Sequence, residues 1–582
     1  MRRKLEAIQL LLPYLRRYRW RYVPGLACLV LNNVVWLAMP LVMKSAVDSL
    51  TQSMTHQRLA FYALAILGLA CVKGFFQYWM RWILIGISRD IEYDLRNDLF
   101  RHLERLPLSY YQRTRTGDIM ARATNDLNAT RMLLGPGIMY STNTLMVLVL
   151  AVVIMLRMDW QLTVLALIPV PLVSLAVFYF GRLIHDRFER IQAMFSDLSA
   201  RVQENISGIR VIKAYAQEDP QIEHFRQANE EFIRRNIGLI RVWGTFYPLL
   251  QVLIGLTFVI VLWKGGVDVV NGKLSLGSFV AFNAYMVQLT WPMIALGWVV
   301  NVAERGAAST ARIRQILEEK PGIVTPADPA PVGPMRGRIE FRDLTFAYNG
   351  RPVLRGINLT IEAGQTVAIV GPTGSGKTTL VNLAPRLYDA PPGTLFIDGV
   401  DIREWPLDEL RRQMGFVPQE TFLFSATLRE NIAFGAPGAE DAGVRWAAEA
   451  AGVLGDIEEF PEKFRTLVGE RGITLSGGQK QRTAIARALV RNPRVLVLDD
   501  ALSSVDTYTE ERILTQLATV MKDRTSILIS HRVSTVRAAD WIVVLDDGQI
   551  VEQGTHGELI ARGGYYYELY QKQLLEEELE KA

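Results

Sequence analysis

The chain is 582 residues long; half of them are apolar and 21% are charged. That length predicts several domains, and the apolar share is high for a soluble enzyme. The formal net charge of +5 is small for the length, and nucleic acid is not an expected partner. Two cysteines, Cys28 and Cys71, lie in apolar runs, which excludes a disulfide framework and a zinc-ligand spacing.

Residues 1–21 carry seven Lys/Arg, and Leu5, Ile8, Leu11, Leu12 and Leu15 recur between them at helical spacing. This predicts an amphipathic helix lying on the cytoplasmic membrane surface. The first long apolar run is not followed by a small-residue cleavage site, so no cleavable signal peptide is expected. Six apolar segments then approach the ~20 residues that span a bilayer: about Tyr22–Val47, Leu59–Ile87, Pro136–Met158, Trp160–Ile184, Val242–Val267 and Leu276–Val302. Short loops join the first to the second, the third to the fourth and the fifth to the sixth. Long loops rich in Lys/Arg, about Ser88–Gly135 and His185–Arg241, join the others. Positive charge stays on the cytoplasmic side, so the N-terminus, both long loops and the C-terminus are expected in the cytosol, with the chain in the cell membrane. Ile91, Leu95, Leu99, Leu103 and Leu106 form a helical stripe in the first long loop, so the membrane helices are expected to run on, ~30 Å for ~20 residues. Each long loop is expected to turn through a short segment able to touch another domain, at Ser109–Asp118 and at Gln217–Phe225, the latter broken by Pro220.

Five prolines between 321 and 334 mark an extended linker. Beyond it short strands and turns begin at Arg338. The expected organisation is an amphipathic helix at 1–21, a six-helix transmembrane domain at 22–320, a linker at 321–337, a nucleotide-binding domain at 338–564 and a C-terminal helix at 565–582. That last helix reads either as a solvated tail or as a segment that pairs with a partner.

Gly371-Pro372-Thr373-Gly374-Ser375-Gly376-Lys377-Thr378 reads G-x-x-x-x-G-K-[ST], the phosphate-binding loop. A β-branched run, Thr366–Val370, precedes it, and a helix starting at Thr379 follows. Backbone N–H groups of such a loop face phosphate oxygens, Lys377 reaches the β- and γ-phosphates, and the Thr378 hydroxyl sits on Mg²⁺. Leu496–Asp500 is an apolar strand ending in two acids, of which Asp499 is placed to hold Mg²⁺ through water. About twenty residues earlier, Ser476-Gly477-Gly478-Gln479 opens a helix whose N-terminus suits anions.

These motifs, in this order and behind six spans, resemble an ATP-binding cassette exporter half-transporter, and the resemblance covers essentially the whole chain. It implies six transmembrane helices fused to one α/β phosphate-loop ATPase domain, with two such chains pairing around ATP and Mg²⁺. By the same resemblance Tyr348 stacks on adenine. Gln419 senses Mg²⁺ and couples to the membrane domain, and Gly469-Glu470-Arg471-Gly472 meets the coupling segments. Ser476 and Gly478 grip the γ-phosphate of an ATP held by the opposite subunit. Asp506 is the D-loop aspartate, and His531 is the switch histidine.

One position departs from the family: its catalytic base is a Glu directly after the Mg²⁺ aspartate, and here that residue is Asp500. Aspartate is one methylene shorter. A base must lie about 2.6–3.2 Å from the attacking water, and withdrawal by ~1.5 Å removes it from that window. The pattern resembles the degenerate-site subunit of a heterodimeric exporter, whose partner chain carries the missing Glu. The expected function is ATP-driven export of amphipathic drugs, lipids or peptides by alternating access. An ATP-gated channel or regulatory membrane protein shares every cassette motif, but no large regulatory insertion separates or follows the motifs, which favours the transporter. Polar residues within spans, Asn32, Asn33, Lys73, Gln77, Asn143, Gln251, Asn283 and Gln288, either line a cavity or form helix–helix hydrogen bonds.

Overall fold

The computed structural model describes residues 2–52, 55–469, 475–505 and 507–581. It divides into two units, one of Met1–Glu104 with Arg115–Glu319 and one of Arg105–Thr114 with Lys320–Ala582. The first unit holds six helices long and apolar enough to cross a membrane, each of 42 to 53 residues. Their excess over ~20 residues is the predicted continuation beyond the bilayer.

Helix 1 runs unbroken over Arg2–Gln52, through Pro13, Pro24 and Pro40. The stretch read as a separate surface helix is therefore the first part of helix 1. Its polar face explains why. Tyr14 donates to Asp98 at 2.8 Å and Tyr18 to Asp94 at 2.9 Å. Arg17 pairs with Asp94 at 3.0 Å and Arg21 with Asp90 at 2.6 Å. Spacings of three and four residues put each set on one helical face, so this face of the stretch lies along helix 2 (His56–Leu103). The predicted stripe Ile91, Leu95, Leu99 and Leu103 is buried on helix 2.

Helix 3 spans Thr116–Met158 and contains two π-turns, Arg122–Asp126 and Leu133–Gly137. The second brings Gly135 so close to helix 2 that a Cβ there would lie 2.4 Å from Ser88 Oγ. Asp159 caps helix 4 (Trp160–Ser207), its carboxylate accepting from Leu162 N at 2.9 Å, which fixes the tight turn after helix 3. Between helices 4 and 5 the short turn helix is Ile209–Ala214, not Gln217–Phe225. Pro220 falls in the first turn of helix 5 (Glu218–Val270), where its missing N–H costs no intrahelical bond. Helix 6 spans Leu276–Leu317, capped by Ser275.

In the second unit, 321–338 has no regular structure but is tied down. Ala330 N–H donates to Glu404 O at 3.0 Å, the amides of Arg336, Gly337 and Arg338 share the Asp398 carboxylate, and Met335 is buried. An antiparallel sheet in the order β2-β1-β4-β5 comprises β1 (Ile339–Tyr348), β2 (Arg351–Ile361), β4 (Leu395–Ile397) and β5 (Val400–Asp401). A six-stranded sheet in the order β10-β9-β3-β8-β7-β6 comprises β3 (Thr366–Val370), β6 (Met414–Val417), β7 (Val495–Asp499), β8 (Thr525–Ile529), β9 (Trp541–Asp546) and β10 (Gln549–Gly554). All its pairings are parallel except that of β9 with β10. β3, β7 and β8 are buried at every residue, the mark of strands covered on both faces. The C-terminal helix Tyr565–Lys581 begins inside this core: Tyr566 is fully buried, and its hydroxyl meets His556 Nδ1 at 2.8 Å.

Candidate nucleotide site

The phosphate loop follows from the burial of β3. The strand ends at Val370 between parallel neighbours, and the chain must turn at once. Gly371 makes the turn at φ 148°, where a Cβ would lie 1.9 Å from Leu545 O, so no side chain fits. Thr373 and Gly374 form the exposed tip of the loop, and Ser375, Gly376, Lys377 and Thr379 are buried at its base. Helix Lys377–Leu383 continues from it.

The side chains at the base are poised around charge. Lys377 Nζ donates back to the loop carbonyls of Gly371 and Pro372 at 2.9 and 2.8 Å. Burial pushes its ammonium below the usual lysine range, and Asp499 and Asp500 act in the opposite sense. Thr378 Oγ1 donates to Asp499 Oδ1 at 3.2 Å. Burial raises the Asp499 carboxyl to about 6. Asp499 Oδ2 and Ser375 Oγ are buried with no hydrogen-bond partner. Orphaned buried oxygens are unfavourable, and those of an acid and a hydroxyl beside a phosphate loop fit a hydrated divalent cation and the phosphates it bridges. Lys377, Thr378, Ser375 and Asp499 are the residues that would hold them.

Asp500 follows with φ 49°. Its N–H donates to Ile529 O at 3.0 Å and its carbonyl accepts from Ser503 N at 3.3 Å. Aspartate is among the non-glycine residues that enter this left-handed region most readily. Its carboxylate has no hydrogen-bond partner among the described residues. Asp500 lines a cavity of about 240 Å³ with His531, Ser530, Arg532, Glu510 and Thr535. His531 is exposed, and its carbonyl accepts from Gln573 of the C-terminal helix. Arg532 donates to Val505 O at 3.0 Å and pairs with Glu510.

The remaining sequence-predicted residues stand apart from this cluster. Tyr348 closes β1, its ring edge-on to Phe346 and Tyr388, both with centroids at 5.0 Å. Gln419 lies exposed beyond the end of β6. Ser476 caps helix Gly477–Leu489 in a reciprocal box: Gln479 N–H donates to Ser476 Oγ at 3.2 Å, and Ser476 N–H to Gln479 Oε1 at 3.0 Å. Gln479 Nε2 also reaches Asp456 at 3.0 Å. This signature helix packs on the Leu428–Ala433 and Asp441–Ala450 helices and β6, whereas the phosphate-loop helix packs on β2, β7 and β8. Asp506 and Glu470–Gly472 lie outside the described residues.

Sequence reasoning did not single out Gln481. It is buried, donates to Ser503 Oγ at 2.9 Å and accepts from Ser504 N at 2.9 Å. Gly477 and Gly478 sit against Ser504, where a Cβ on either would lie 3.1 and 3.3 Å from it. Gln481 thus fixes the signature helix to the turn after Asp500. A glutamine two residues past the capping box was the available signal, but nothing local shows that it faces inward.

The family description "ABC transporter transmembrane region" matches residues 23–293, and "ABC transporter" matches 354–503. The chain is 38% identical over 573 residues to the multidrug resistance-like ATP-binding protein MdlA of Escherichia coli, covering 98% of this chain and 97% of that one. It is 37% identical over 566 residues to the probable multidrug resistance ABC transporter ATP-binding/permease protein YheI of Bacillus subtilis, with 97% of each covered. It is 36% identical over 576 residues to the ATP-dependent lipid A-core flippase of Syntrophus aciditrophicus, covering 99% and 96%. Among solved structures, a bacterial Atm1-family ABC exporter with ATP bound superposes with a TM-score of 0.78 at 30% identity, over 96% of this chain and 99% of that one. The chain therefore belongs to the ATP-binding cassette exporters, as a multi-pass half-transporter in which one six-helix transmembrane domain is fused to one ATPase domain.

Proposed function

We propose that this half-transporter is one subunit of a heterodimeric, ATP-driven exporter of amphipathic drugs, lipids or peptides, and that the ATP site on its own phosphate loop is degenerate. The multidrug and lipid-flippase names of its relatives support the drug and lipid part of that range. The complex sits in the cell membrane with the N-terminus and the ATPase domain in the cytosol. The six-helix domain, with residues 2–21 as the first part of its helix 1, is the translocation domain; 321–337 form the linker and 338–564 the nucleotide-binding domain.

The observation that carries the reading is Asp500. Lys377, Thr378 and Asp499 keep everything needed to bind ATP and Mg²⁺, while the residue that should draw a proton from water is an aspartate one methylene short. Bound ATP would supply the energy of closure, and the chain's own residues would hold it: Lys377 its phosphates, Thr378 and Asp499 the Mg²⁺, with Gln419 and His531 serving the γ-phosphate and Tyr348 the base. Ser476–Gln479 serve the other nucleotide, on the partner's phosphate loop, where the partner's Glu performs hydrolysis. The separate seating of the signature and phosphate-loop helices supports such division between chains.

Co-purification from native membranes tests the heterodimer: a second half-transporter carrying Glu at the position of Asp500 is expected. Recovery of an active, purely homodimeric transporter would sink the proposal.

A further inference from the structure

A cavity of about 330 Å³, open on one side where Arg81 and Trp291 are exposed, lies between the four membrane helices 1, 2, 3 and 6. Its polar lining is Asn32, Gln77, Arg81, Asn143 and Gln288, four of which the sequence offered as either cavity-lining or helix-pairing. Two are visibly under-satisfied. Asn32 is 3% exposed; its amide nitrogen reaches Asn33 Oδ1 only at 3.4 Å, and its own Oδ1 has no partner. Gln288 donates to Trp36 O at 3.3 Å, and its buried Oε1 has no partner. Buried carbonyl oxygens without donors are unfavourable, above all within hydrocarbon. Gln288 ties helix 6 to helix 1 through Trp36 O, yet its Oε1 and the Oδ1 of Asn32 remain open acceptors on residues that line the cavity.

The charge of the cavity is one-sided. Arg81 has no carboxylate partner among the described residues. Lys73 Nζ sits 3.5 Å from the centroid of the Trp36 ring, which forms a wall of the cavity with Tyr140 and Trp291. None of the four walls carries an Asp or Glu within its span, from 22–47, 59–87, 136–158 and 276–302. A cation in a membrane span without a counter-ion marks a ligand pathway. Asn32 and Gln77 stand about ten residues from the inner ends of their spans, ~15 Å deep, near the middle of a ~30 Å hydrocarbon core.

We infer that this cavity is a binding site for an amphipathic organic anion: an acidic head on Arg81, an N–H or O–H donor on the Asn32 and Gln288 carbonyls, and a flat apolar body between Trp36, Tyr140 and Trp291. Lipophilic cations are disfavoured there. The inference rests on the exporter reading and narrows its substrate class. Acidic lipid headgroups and water-soluble organic acids share this chemistry.

Two fluorescent probes with one aromatic body separate the possibilities. Dansylglycine carries a carboxylate and a sulfonamide N–H; dansylcadaverine carries an ammonium instead. The full complex is placed in phosphatidylcholine nanodiscs, and energy transfer from tryptophan to dansyl is titrated. Dansylglycine is expected to bind saturably and at least tenfold more tightly than dansylcadaverine. Arg81→Gln should abolish that preference, Arg81→Lys should keep most of it, and Asn32→Leu should weaken dansylglycine several-fold. Repeating the titration in phosphatidylglycerol nanodiscs identifies the source. Arg81-dependent loss of probe binding marks an acidic lipid as the occupant; unchanged binding marks a water-soluble acid. Fluorescent ATP titration of each variant reports folding. If ATP binds but the two dansyl probes bind alike, or Arg81→Gln leaves the preference intact, the inference is overturned. If ATP does not bind the wild-type complex, the exporter reading fails instead.

Discussion

The two nucleotide-facing regions of the ATPase domain are built in opposite ways. At the phosphate loop, Ser375 and Asp499 are buried with orphaned oxygens, and Lys377 turns back onto carbonyls of its own loop. At the signature, Ser476 is exposed, its hydrogen bonds close within the capping box, and Gln479 of that box reaches on to Asp456. An unsatisfied buried site gains by taking a ligand into itself, whereas a satisfied exposed edge gains only when another surface closes on it. Under the pairing of two chains proposed above, one domain is then a receptor for its own nucleotide and a lid for its partner's.

The largest effect should come from breaking the lid. Ser476→Arg, assembled with a wild-type partner, is expected to lower steady-state ATP hydrolysis by ~10²-fold or more, the scale of losing a group that grips transition-state charge. Nucleotide binding to this chain's own loop should persist, as photo-crosslinking of labelled ATP to this subunit would show. Breaking the receptor is the converse. Lys377→Ala should weaken one of the two sites ~10–100-fold, the scale of a lost charge-assisted hydrogen bond. Nucleotide titration giving two sites of unchanged affinity would contradict the assignment.

Asp499 sharpens the comparison, because its buried charge has a cost without a cation. Its carboxyl, raised from 3.8 to about 6, binds a proton more readily in the folded state than in the unfolded one. The nucleotide-free fold therefore loses stability as pH rises between about 4 and 6, and it carries the full penalty above that window. Asp499→Asn should raise the melting temperature of the nucleotide-free complex by a few degrees at pH 7.5, corresponding to ~1–2 kcal/mol. The gain should vanish near pH 4, and Mg²⁺-dependent ATP binding should weaken at the same time. Scanning calorimetry at the two pH values checks the sign.

The smallest effect is expected where the chain departs from its family. Asp500→Ala should change steady-state hydrolysis less than ~2-fold, because a working base contributes ~10²–10⁴-fold and the proposed heterodimer assigns that contribution to the partner. If Asp500→Ala proves as damaging as Ser476→Arg in one assay, the site is a working catalytic centre.

The sequence by itself determined the order of parts. Apolar segments long enough to span a bilayer, a Pro-rich break and a phosphate loop between a β-branched strand and a helix are local signals, because chain length, backbone geometry and glycine placement act over a few residues. The six helices and the α/β ATPase domain were legible for that reason. Tertiary structure decided what depended on partners distant in the chain. Residues 2–21, expected as a separate helix, continue into helix 1, and Asp90, Asp94 and Asp98 of helix 2 offer its Tyr14–Arg21 turns a polar face. Pro220 opened helix 5 rather than breaking a turn, since the chain had already turned at Ile209–Ala214. Gln481 became a tie between the signature helix and Ser503–Ser504. Asn32, Gln77, Asn143 and Gln288, scattered over four helices, met Arg81 around one cavity. Periodicity tells which residues share a face, but only packing tells what that face meets, because hydrogen-bond satisfaction and burial are properties of the neighbours and not of the residue.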